Sequence, residues 1–171
     1  MMQKNTVIVP KFRKGVSPVQ YEKSCGALVL RPDEDGKTYI LMIRHKAGGH
    51  RSFPKGHMER GETEYMTAVR EVFEETAVQI RLETADFRAT VHYHPLPGVS
   101  KEVVYFLAKT TQKEIRPREG EIAQVEWVPI EQAEASLTHE NDKAVFRAAM
   151  KKYREKASTG RAGISKISKK A

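Results

Sequence analysis

Residues 53–78 read FPKGHMERGETEYMTAVREVFEETAV and join a turn-prone loop to a strongly helical segment. Pro54, Gly56 and Gly61 mark the loop. Thr63 precedes the helical run, and we expect its hydroxyl to cap the helix by accepting a first-turn backbone N–H. The rest of the chain is best understood from this loop and helix outward.

The predicted helix has two faces of opposite character. Larger side chains recur at i, i+4, i+7 and i+8, a rhythm that predicts a face buried in the core. The predicted buried face is Tyr65, Val69, Val72, Phe73 and Thr76. About half a turn away, at 3.6 residues per turn, lie four acids that we expect to point away from the core: Glu64, Glu71, Glu74 and Glu75.

Three of these acids are crowded together. Glu71, Glu74 and Glu75 are i, i+3 and i+4 neighbours, and like charges at such spacings destabilise a helix by roughly 0.2–0.5 kcal/mol per pair. A solvated acidic face is the simplest interpretation of a glutamate-rich helix. However, such a face usually interleaves lysine and arginine, and here only Arg70 is adjacent. Because hard divalent cations bind several oxygen ligands at once, the cluster after a glycine loop favours a metal site.

The spacing of these residues resembles the Nudix box. The matching positions are Gly56, Glu62, Arg70, Glu71, Val72, Glu74, Glu75 and Val78. Agreement at so many polar and glycine positions within one short segment is a specific signal. One position departs, since Ala77 stands where the family usually has glycine. We expect the chain to leave the helix there with a positive φ, which costs about 1 kcal/mol for alanine.

The order of predicted elements favours an α/β fold. The chain of 171 residues can bury a core as one domain. Strands on both sides of the box helix, followed by a terminal helix, predict a mixed β-sheet between helices, and the resemblance implies the α/β/α sandwich of Nudix proteins. We divide the chain into an N-terminal arm or edge strand (1–21), a Nudix hydrolase domain (22–156) and a basic, disordered tail (157–171).

The individual elements follow from the apolar patterns. The predicted strands cover residues 24–31, 38–44, 79–93 with an interruption near 84–86, 102–111 and 124–128. A second long helix is expected from Asn141 to about Lys156. Its predicted core-facing residues are Val145, Ala148, Ala149 and Tyr153.

The positive charge is concentrated at the two ends of the chain. The net charge is +8, of which residues 143–171 carry +9 and residues 1–24 carry +4, whereas residues 25–142 carry −5. RNA is therefore a possible partner of the basic tail, whereas the overall positive charge is weak evidence for nucleic-acid binding by the domain itself. The single Cys25 excludes an intramolecular disulfide and is expected to be a small buried side chain. Without an apolar run of membrane-spanning length or a signal-peptide core, we expect a cytoplasmic protein.

The resemblance implies a reaction and a set of residues for it. It implies hydrolysis of a nucleoside diphosphate linked to another group, with Mg²⁺ or Mn²⁺ neutralising the phosphates. The implied metal ligands are the carbonyl of Gly56 and the carboxylates of Glu71, Glu74, Glu75 and Glu121, the last preferred to Glu119. The implied catalytic set is Glu62, Arg70, Glu71 and Glu74. Within it, Glu71 is a ligand or the base, while Glu62 and Arg70 hold the loop on the helix.

Segments before and after the box narrow the substrate class. The loop FPKGH resembles that of the subgroups that hydrolyse diadenosine polyphosphates or diphosphoinositol polyphosphates, and residues 93–106 are similar to the first of these. The implied substrate-binding residues are Lys55, His57, Tyr93 and Lys101, with Tyr93 stacking on adenine and Lys101 reaching the phosphates. Stacking contributes roughly 1–3 kcal/mol per base.

Several other functions remain open at this point. Diphosphoinositol polyphosphates, the 5′-pyrophosphate of RNA and damaged nucleotides are alternative substrates of the same chemistry. A non-catalytic nucleotide- or RNA-binding module is an alternative of a different class, and the basic tail supports it. The intact acidic positions of the box favour an enzyme, because a module that had lost the chemistry would not need them.

Overall fold

The computed structural model describes residues 19–82 and 87–167, with side chains described as far as Ser158. In this part of the chain, eight strands form one sheet. The strands are β1 (Gln20–Pro32), β2 (Thr38–His45), β3 (Arg51–Ser52), β4 (Lys55–His57), β5 (Arg81–Leu82), β6 (Arg88–Tyr93), β7 (Val99–Lys109) and β8 (Ile122–Pro129). The helices are α1 (Glu64–Thr76), α2 (Ile130–Ser136) and α3 (Glu140–Ile167).

The sheet is mixed, as predicted. Its main order is β3-β2-β1-β7-β5, while β4 pairs with β1, β6 with β7 and β8 with β2. Only the pairing of β1 with β7 is parallel among the described strands, and it runs from Gln20 opposite Val99 to Leu30 opposite Lys109. Parallel neighbours need a long crossover connection, and α1 lies within the chain that makes this one.

The central strand β1 explains why both faces of the sheet are covered. Its side chains alternate between the two faces: Ala27 and Val29 pack in a cluster with Val72 of α1, whereas Leu28 and Leu30 pack in the cluster that holds the buried residues of α3. The predicted α/β/α sandwich is therefore confirmed.

Several boundaries differ from the prediction. The two short strands β3 and β4 were not predicted, and α3 continues to Ile167, beyond the predicted end near Lys156. No proline interrupts that segment, so nothing in it blocks helical hydrogen bonding. In α3, Val145 and Ala149 are buried as expected, but Ala148 is exposed. The predicted N-terminal arm falls almost wholly on residues 1–18, which lie outside the described part of the chain.

The buried face of α1 is the main correction. Tyr65 and Phe73 are 45% and 49% exposed, so the prediction that they face the core is wrong. Two of the acids expected to face solvent, Glu71 and Glu75, are instead only 7% and 5% exposed. The residues that α1 buries are Thr67, Ala68, Glu71, Val72, Glu75 and Thr76. Hydrophobic periodicity failed because it assumes that carboxylates avoid burial, and this helix buries two of them.

Both ends of α1 are formed by the expected capping interactions. The Thr63 hydroxyl accepts a hydrogen bond from the Met66 backbone N–H (3.2 Å), which confirms the predicted cap. Ala77 adopts φ 60° at the other end, and its N–H donates to the Phe73 carbonyl. The predicted left-handed turn is therefore present with alanine in place of glycine. In the described residues, no helix is long and apolar enough to cross a membrane.

Candidate active site

A close contact between β1 and the loop before α1 places the first glycine of the box. Gly26 lies opposite Lys55 in the pairing of β1 with β4. A Cβ atom on Gly26 would overlap the Pro54 carbonyl oxygen, so only glycine allows the loop to lie this close to the strand. Phe53, fully buried in the core, anchors the start of the same loop.

Glu62 and Arg70 join this loop to α1. The Arg70 Nε–H donates to Glu62 Oε1 (2.6 Å), and Nη2 donates to Glu62 Oε2 (2.9 Å) and to the His57 carbonyl (3.0 Å). The Thr67 hydroxyl also donates to Glu62 (2.7 Å). The hydrogen bonds from Arg70 are the main reason that the pKa of Glu62 is lowered to about 2. This arrangement fixes the loop over the first two turns of the helix.

Glu71 and Glu75 place two carboxylates beneath the loop. The Glu71 carboxylate packs so closely on Gly56 that a Cβ there would overlap it, and its Oε1 accepts a hydrogen bond from Arg70 (2.7 Å). Glu75 Oε2 accepts one from the Lys55 backbone N–H (2.9 Å). Burial raises the pKa of Glu71 and raises that of Glu75 to about 8. Burying carboxylates in this way costs free energy unless a positive group compensates their charge.

The remaining two acids of the predicted metal set are held by an arginine. Arg118 Nη1 lies 3.0 Å from Glu74 Oε2 and 3.4 Å from Glu121 Oε2. Arg70 also approaches Glu74, at 3.6 Å. Glu74 and Glu121 are more exposed than Glu71 and Glu75, with 36% and 60% of their side chains accessible.

Backbone hydrogen bonds hold the segment that carries Arg118 against the end of α1. The N–H groups of Arg116 and Arg118 donate to the carbonyls of Thr76 (2.9 Å) and Glu75 (3.1 Å). These are last-turn carbonyls that have no partner within the helix. The Gln112 side chain adds a hydrogen bond to the Ala77 carbonyl (2.9 Å). We call residues 110–121 the strap, because they run from β7 across the end of α1 to β8.

The box and the strap form one wall of a cavity of about 1070 Å³. This wall, which we call the glutamate wall, consists of Lys55, Gly56, His57, Glu59, Arg70, Glu71, Glu74, Glu75, Arg118, Gly120 and Glu121. A second wall comes from β6, β7 and the start of α3. This wall, which we call the aromatic wall, consists of Val91, Tyr93, Val103, Tyr105, His139, Glu140, Asn141 and Asp142.

The aromatic wall contains a buried polar pair. The Tyr105 hydroxyl donates to Asp142 Oδ1 (3.1 Å), and the two residues are 1% and 8% exposed. Burial raises the pKa of Asp142, an effect opposed by the hydrogen bond from Tyr105 and by the positive charge of Lys55. Tyr93 is half-buried beside them. The aromatic wall therefore offers a ring face and a carboxyl group to the same cavity as the glutamates.

His45 and His50 also line the cavity, outside the two walls as defined above. The rings of His50 and His139 lie 4.8 Å apart. His45 forms a hydrogen bond with Ser52 (3.1 Å), and burial lowers its pKa to about 4. His45 is therefore neutral at physiological pH.

The four predicted substrate-binding residues are not equally placed. Lys55, His57 and Tyr93 line the cavity, whereas Lys101 is not among its described lining residues. The Lys101 ammonium lies 3.6 Å from Glu22 and 3.4 Å from His57 Nε2. It therefore reaches the rim of the cavity only through His57.

The chain matches a known family over most of its length. The family model described as NUDIX domain matches residues 21–150. The chain belongs to the Nudix family. The match covers the box, the strap and the first part of α3, so it includes both walls of the cavity.

Relatives of this Nudix protein carry names that denote different activities. An 8-oxo-(d)GTP phosphatase of Mycolicibacterium smegmatis is 35% identical over 101 residues, which cover 59% of this chain and 30% of that protein. A Mycobacterium tuberculosis relative is 32% identical over 136 residues, which are 54% of its length. The chain thus spans about a third to a half of these two relatives. A mouse asymmetrical bis(5′-nucleosyl)-tetraphosphatase is 29% identical over 120 residues, covering 65% of this chain and 81% of that protein.

Solved structures agree on the fold. The binary complex of a C. elegans Ap4A hydrolase superposes with a TM-score of 0.69 at 24% identity, covering 81% of this chain and 98% of that one. The Nudix domain of Shewanella oneidensis NrtR, complexed with ADP ribose, superposes with a TM-score of 0.61 at 15% identity, covering 85% of this chain and 94% of that one.

The donor set of the glutamate wall suits a divalent cation. Its carboxylate and carbonyl oxygens are the ligands that Mg²⁺ and Mn²⁺ prefer, and a bound cation would favour the ionised forms of Glu71 and Glu75, which burial alone disfavours. Among the described residues, no three acidic, histidine or cysteine side chains stand together as a preformed metal cluster. The glutamate side chains instead contact other groups of the protein, which include Arg70, Arg118 and the Lys55 N–H.

Sequence reasoning missed several residues of this site. Arg118, His50, His139 and Asp142 all line the cavity, yet none stands out in the sequence. The segment around Arg118 was considered only for its acids. Asp142 lies in the first turn of α3. An acid there was the available signal for that residue, but acids in a first turn usually only stabilise the helix dipole.

Proposed function

We propose that this Nudix protein is a metal-dependent hydrolase of phosphoanhydride bonds in nucleotides, with dinucleoside polyphosphates as the favoured substrate class. The observation that carries the proposal is a single cavity lined by the buried carboxylates of Glu71 and Glu75 and by the ring of Tyr93. A polyphosphate chain needs a cation-binding wall, and a nucleobase needs an apolar ring face. This cavity offers both.

Nudix enzymes generally use divalent cations, and here we assign the site for Mg²⁺ or Mn²⁺ to the glutamate wall. The proposed ligands are the Gly56 carbonyl and the carboxylates of Glu71, Glu74, Glu75 and Glu121. A cation bound there would neutralise phosphate oxygens and lower the pKa of the attacking water.

We assign separate roles to the side chains of the glutamate wall. Glu71 is either one of the proposed metal ligands or the base that takes the proton of the attacking water. In the second role, the burial that raises its pKa makes it a stronger base than an exposed glutamate. Lys55 and His57 lie where they can bind phosphate oxygens that the cation leaves free. Glu62 and Arg70 hold the loop in place and are positioning residues.

The aromatic wall is the proposed base site. Tyr93 offers a ring face for stacking, which is worth roughly 1–3 kcal/mol per base. Asp142, beside it, can accept a hydrogen bond from a base N–H when ionised or donate one when protonated. A dinucleotide held by one base would present its phosphates to the glutamate wall asymmetrically. For diadenosine tetraphosphate, water would therefore attack to give ATP and AMP.

Two groups of relatives support two candidate substrates. The mouse protein bears the name of an asymmetrical bis(5′-nucleosyl)-tetraphosphatase and the C. elegans protein that of an Ap4A hydrolase, in line with the favoured class. The M. smegmatis relative bears the name of an 8-oxo-(d)GTP phosphatase and has the higher identity, 35%. Hydrolysis of damaged nucleoside triphosphates is therefore the second candidate.

A substrate panel tests the proposal. The purified protein is incubated with Mg²⁺ or Mn²⁺ and, in separate reactions, diadenosine tetraphosphate, 8-oxo-dGTP, a diphosphoinositol polyphosphate and RNA with a 5′-pyrophosphate, and the products are resolved by chromatography. We expect the highest kcat/KM for diadenosine tetraphosphate, with ATP and AMP as products. Preference for 8-oxo-dGTP would support the second candidate, and preference for the inositol compound would contradict both. Without added metal, all four reactions should stop.

RNA binding by the basic C-terminal residues is a separate proposal, supported by the charge of +9 in residues 143–171. Deletion of residues 158–171 should weaken binding to a short RNA and flatten its salt dependence, because fewer counterions are released. Turnover of a small nucleotide should stay the same. A large loss of small-substrate turnover would instead place these residues in the active site.

A further inference from the structure

Arg118 occupies the position where two of the proposed metal ligands meet. Its guanidinium contacts Glu74 of α1 and Glu121 of the strap through the same nitrogen, Nη1, at 3.0 and 3.4 Å. These two acids are separate in sequence and lie on different elements, and Arg118 is the cation that joins them in the described structure.

The two positive groups compete for the same carboxylate oxygens, Glu74 Oε2 and Glu121 Oε2. A divalent cation binds carboxylate oxygens at about 2–2.6 Å, which is closer than the guanidinium lies. An arginine held at the same oxygens would therefore face a doubly charged ion at short range. Because like charges at such separations repel, a metal bound to these two oxygens weakens the contacts of Arg118 with Glu74 and Glu121 and favours displacement of its side chain.

The strap is built so that only a side chain has to move. The Arg118 N–H donates to the Glu75 carbonyl, and the Arg118 carbonyl accepts from the Ile122 N–H, both at 3.1 Å. The Trp127 indole N–H donates to the Lys113 carbonyl of the same segment (3.0 Å). The Arg118 side chain is 41% exposed, so its route to solvent is open while the backbone stays fixed.

We propose that Arg118 is a built-in competitor of the divalent cation. In the metal-free protein, it neutralises Glu74 and Glu121 and keeps the strap on α1. The metal displaces it, so Arg118 sets the metal affinity of the site without being one of its ligands. The inference rests on the proposed function, because it takes the glutamate wall as the metal site.

The test compares Mn²⁺ affinities by isothermal titration calorimetry. Arg118→Met removes the charge and keeps the length of the side chain. We expect it to bind Mn²⁺ roughly three- to tenfold more tightly than the wild type, in line with the loss of one or two partly exposed ion pairs. Arg118→Lys keeps the charge and should stay within about twofold of the wild type by the same reasoning.

Arg116→Met is the matched control. Arg116 is exposed, lies two residues away in the strap and contributes its backbone N–H to α1, so this variant makes the same change in net charge and keeps the anchoring hydrogen bond. Its Mn²⁺ affinity should equal that of the wild type. An equal gain in both methionine variants would show a general charge effect and overturn the proposal, as would unchanged or weaker binding in Arg118→Met.

A fourth variant separates this inference from the proposed function. Glu75→Gln should lose Mn²⁺ affinity in the same titration if the glutamate wall is the metal site. If Glu75→Gln loses Mn²⁺ affinity but Arg118→Met does not gain any, the glutamate wall is still the metal site and competition by Arg118 is excluded. If Glu75→Gln binds like the wild type, the metal-site assignment fails, and the inference about Arg118 fails with it. Thermal unfolding of each metal-free variant checks that it is folded.

Discussion

The two walls of the cavity are built in opposite ways. Most of the glutamate wall comes from one continuous segment, residues 55–75, in which loop and helix are joined by Glu62 and Arg70. The aromatic wall brings together Tyr93, Tyr105 and Asp142, from β6, β7 and α3, which only the sheet makes neighbours. The difference separates a site encoded locally from one assembled by tertiary structure. We expect substitutions in the first wall to affect chemistry and those in the second to affect the choice of substrate.

The largest effect is expected in the glutamate wall. Glu75→Gln keeps the shape of the side chain and an oxygen that can accept the Lys55 N–H, but removes the charge. We expect kcat/KM to fall roughly 100-fold or more, because a metal site supplies several kcal/mol of charge stabilisation. Steady-state kinetics with saturating Mg²⁺ checks this. Glu119→Gln makes the same change at an exposed strap position and should leave the rate unaltered, and near-wild-type turnover in Glu75→Gln would contradict the assignment.

The same carboxylate should make the stability of the metal-free protein depend on pH. Burial raises the pKa of Glu75 from 4.5 to about 8, so between these values the folded protein holds a proton that the unfolded chain releases. The stabilisation is complete below pH 4.5 and is lost as the pH rises through 8. We expect the free energy of unfolding of the wild type, relative to Glu75→Gln, to fall by on the order of a few kcal/mol between pH 5 and pH 8.

Urea denaturation of both proteins in EDTA measures that difference. Comparing the wild type with Glu75→Gln cancels the contribution of titrating groups that do not interact with Glu75. The charge of Glu71 helps to raise the pKa of Glu75, so its effect stays within the measured difference. A difference that stays constant with pH would mean that Glu75 ionises at its ordinary pKa in the folded protein.

A smaller and more selective effect is expected in the aromatic wall. Tyr93→Ala should weaken binding of diadenosine tetraphosphate by about 1–3 kcal/mol. If stacking is equal in the ground and transition states, KM rises while kcat changes little. Tyr93→Phe keeps the ring face and should behave like the wild type.

A substrate without a nucleobase tests whether Tyr93 acts by stacking on a base. A diphosphoinositol polyphosphate has no base to stack, so Tyr93→Ala should leave its turnover nearly unchanged. Equal losses for both substrates would show that Tyr93 supports the structure of the cavity and does not bind a base.

The smallest effect concerns the end of α1. Ala77 has φ 60°, a conformation that glycine adopts without penalty, so Ala77→Gly should stabilise the protein by about 1 kcal/mol. Ala144→Gly, at an exposed position within α3, should have the opposite effect and destabilise by about 0.5–1 kcal/mol. Thermal unfolding of the two variants measures both. A loss of stability in Ala77→Gly would show that contacts of the alanine methyl group outweigh the backbone preference.

The sequence by itself determined the features that depend on neighbouring residues. The spacing from Gly56 to Val78 identified the family, Thr63 was recognised as the cap of α1, and Ala77 was expected in a left-handed turn. Each of these follows from chain geometry over a few residues, where hydrogen bonding and backbone sterics leave little choice. The mixed sheet between helices also followed from the order of the predicted elements, and the resemblance to Nudix proteins implied the α/β/α sandwich.

Only the tertiary structure decided which face of α1 is buried and what lies opposite it. Burying Tyr65 and Phe73 would have removed more apolar surface from water, so the pattern predicted that face. The helix instead packs Ala68 and Val72 on the sheet and turns Glu71 and Glu75 toward the cavity. Arg118 and Asp142 reach the same cavity through strand pairings and a strap that join distant parts of the chain. Such contacts depend on long-range pairing energies that no short window of sequence contains.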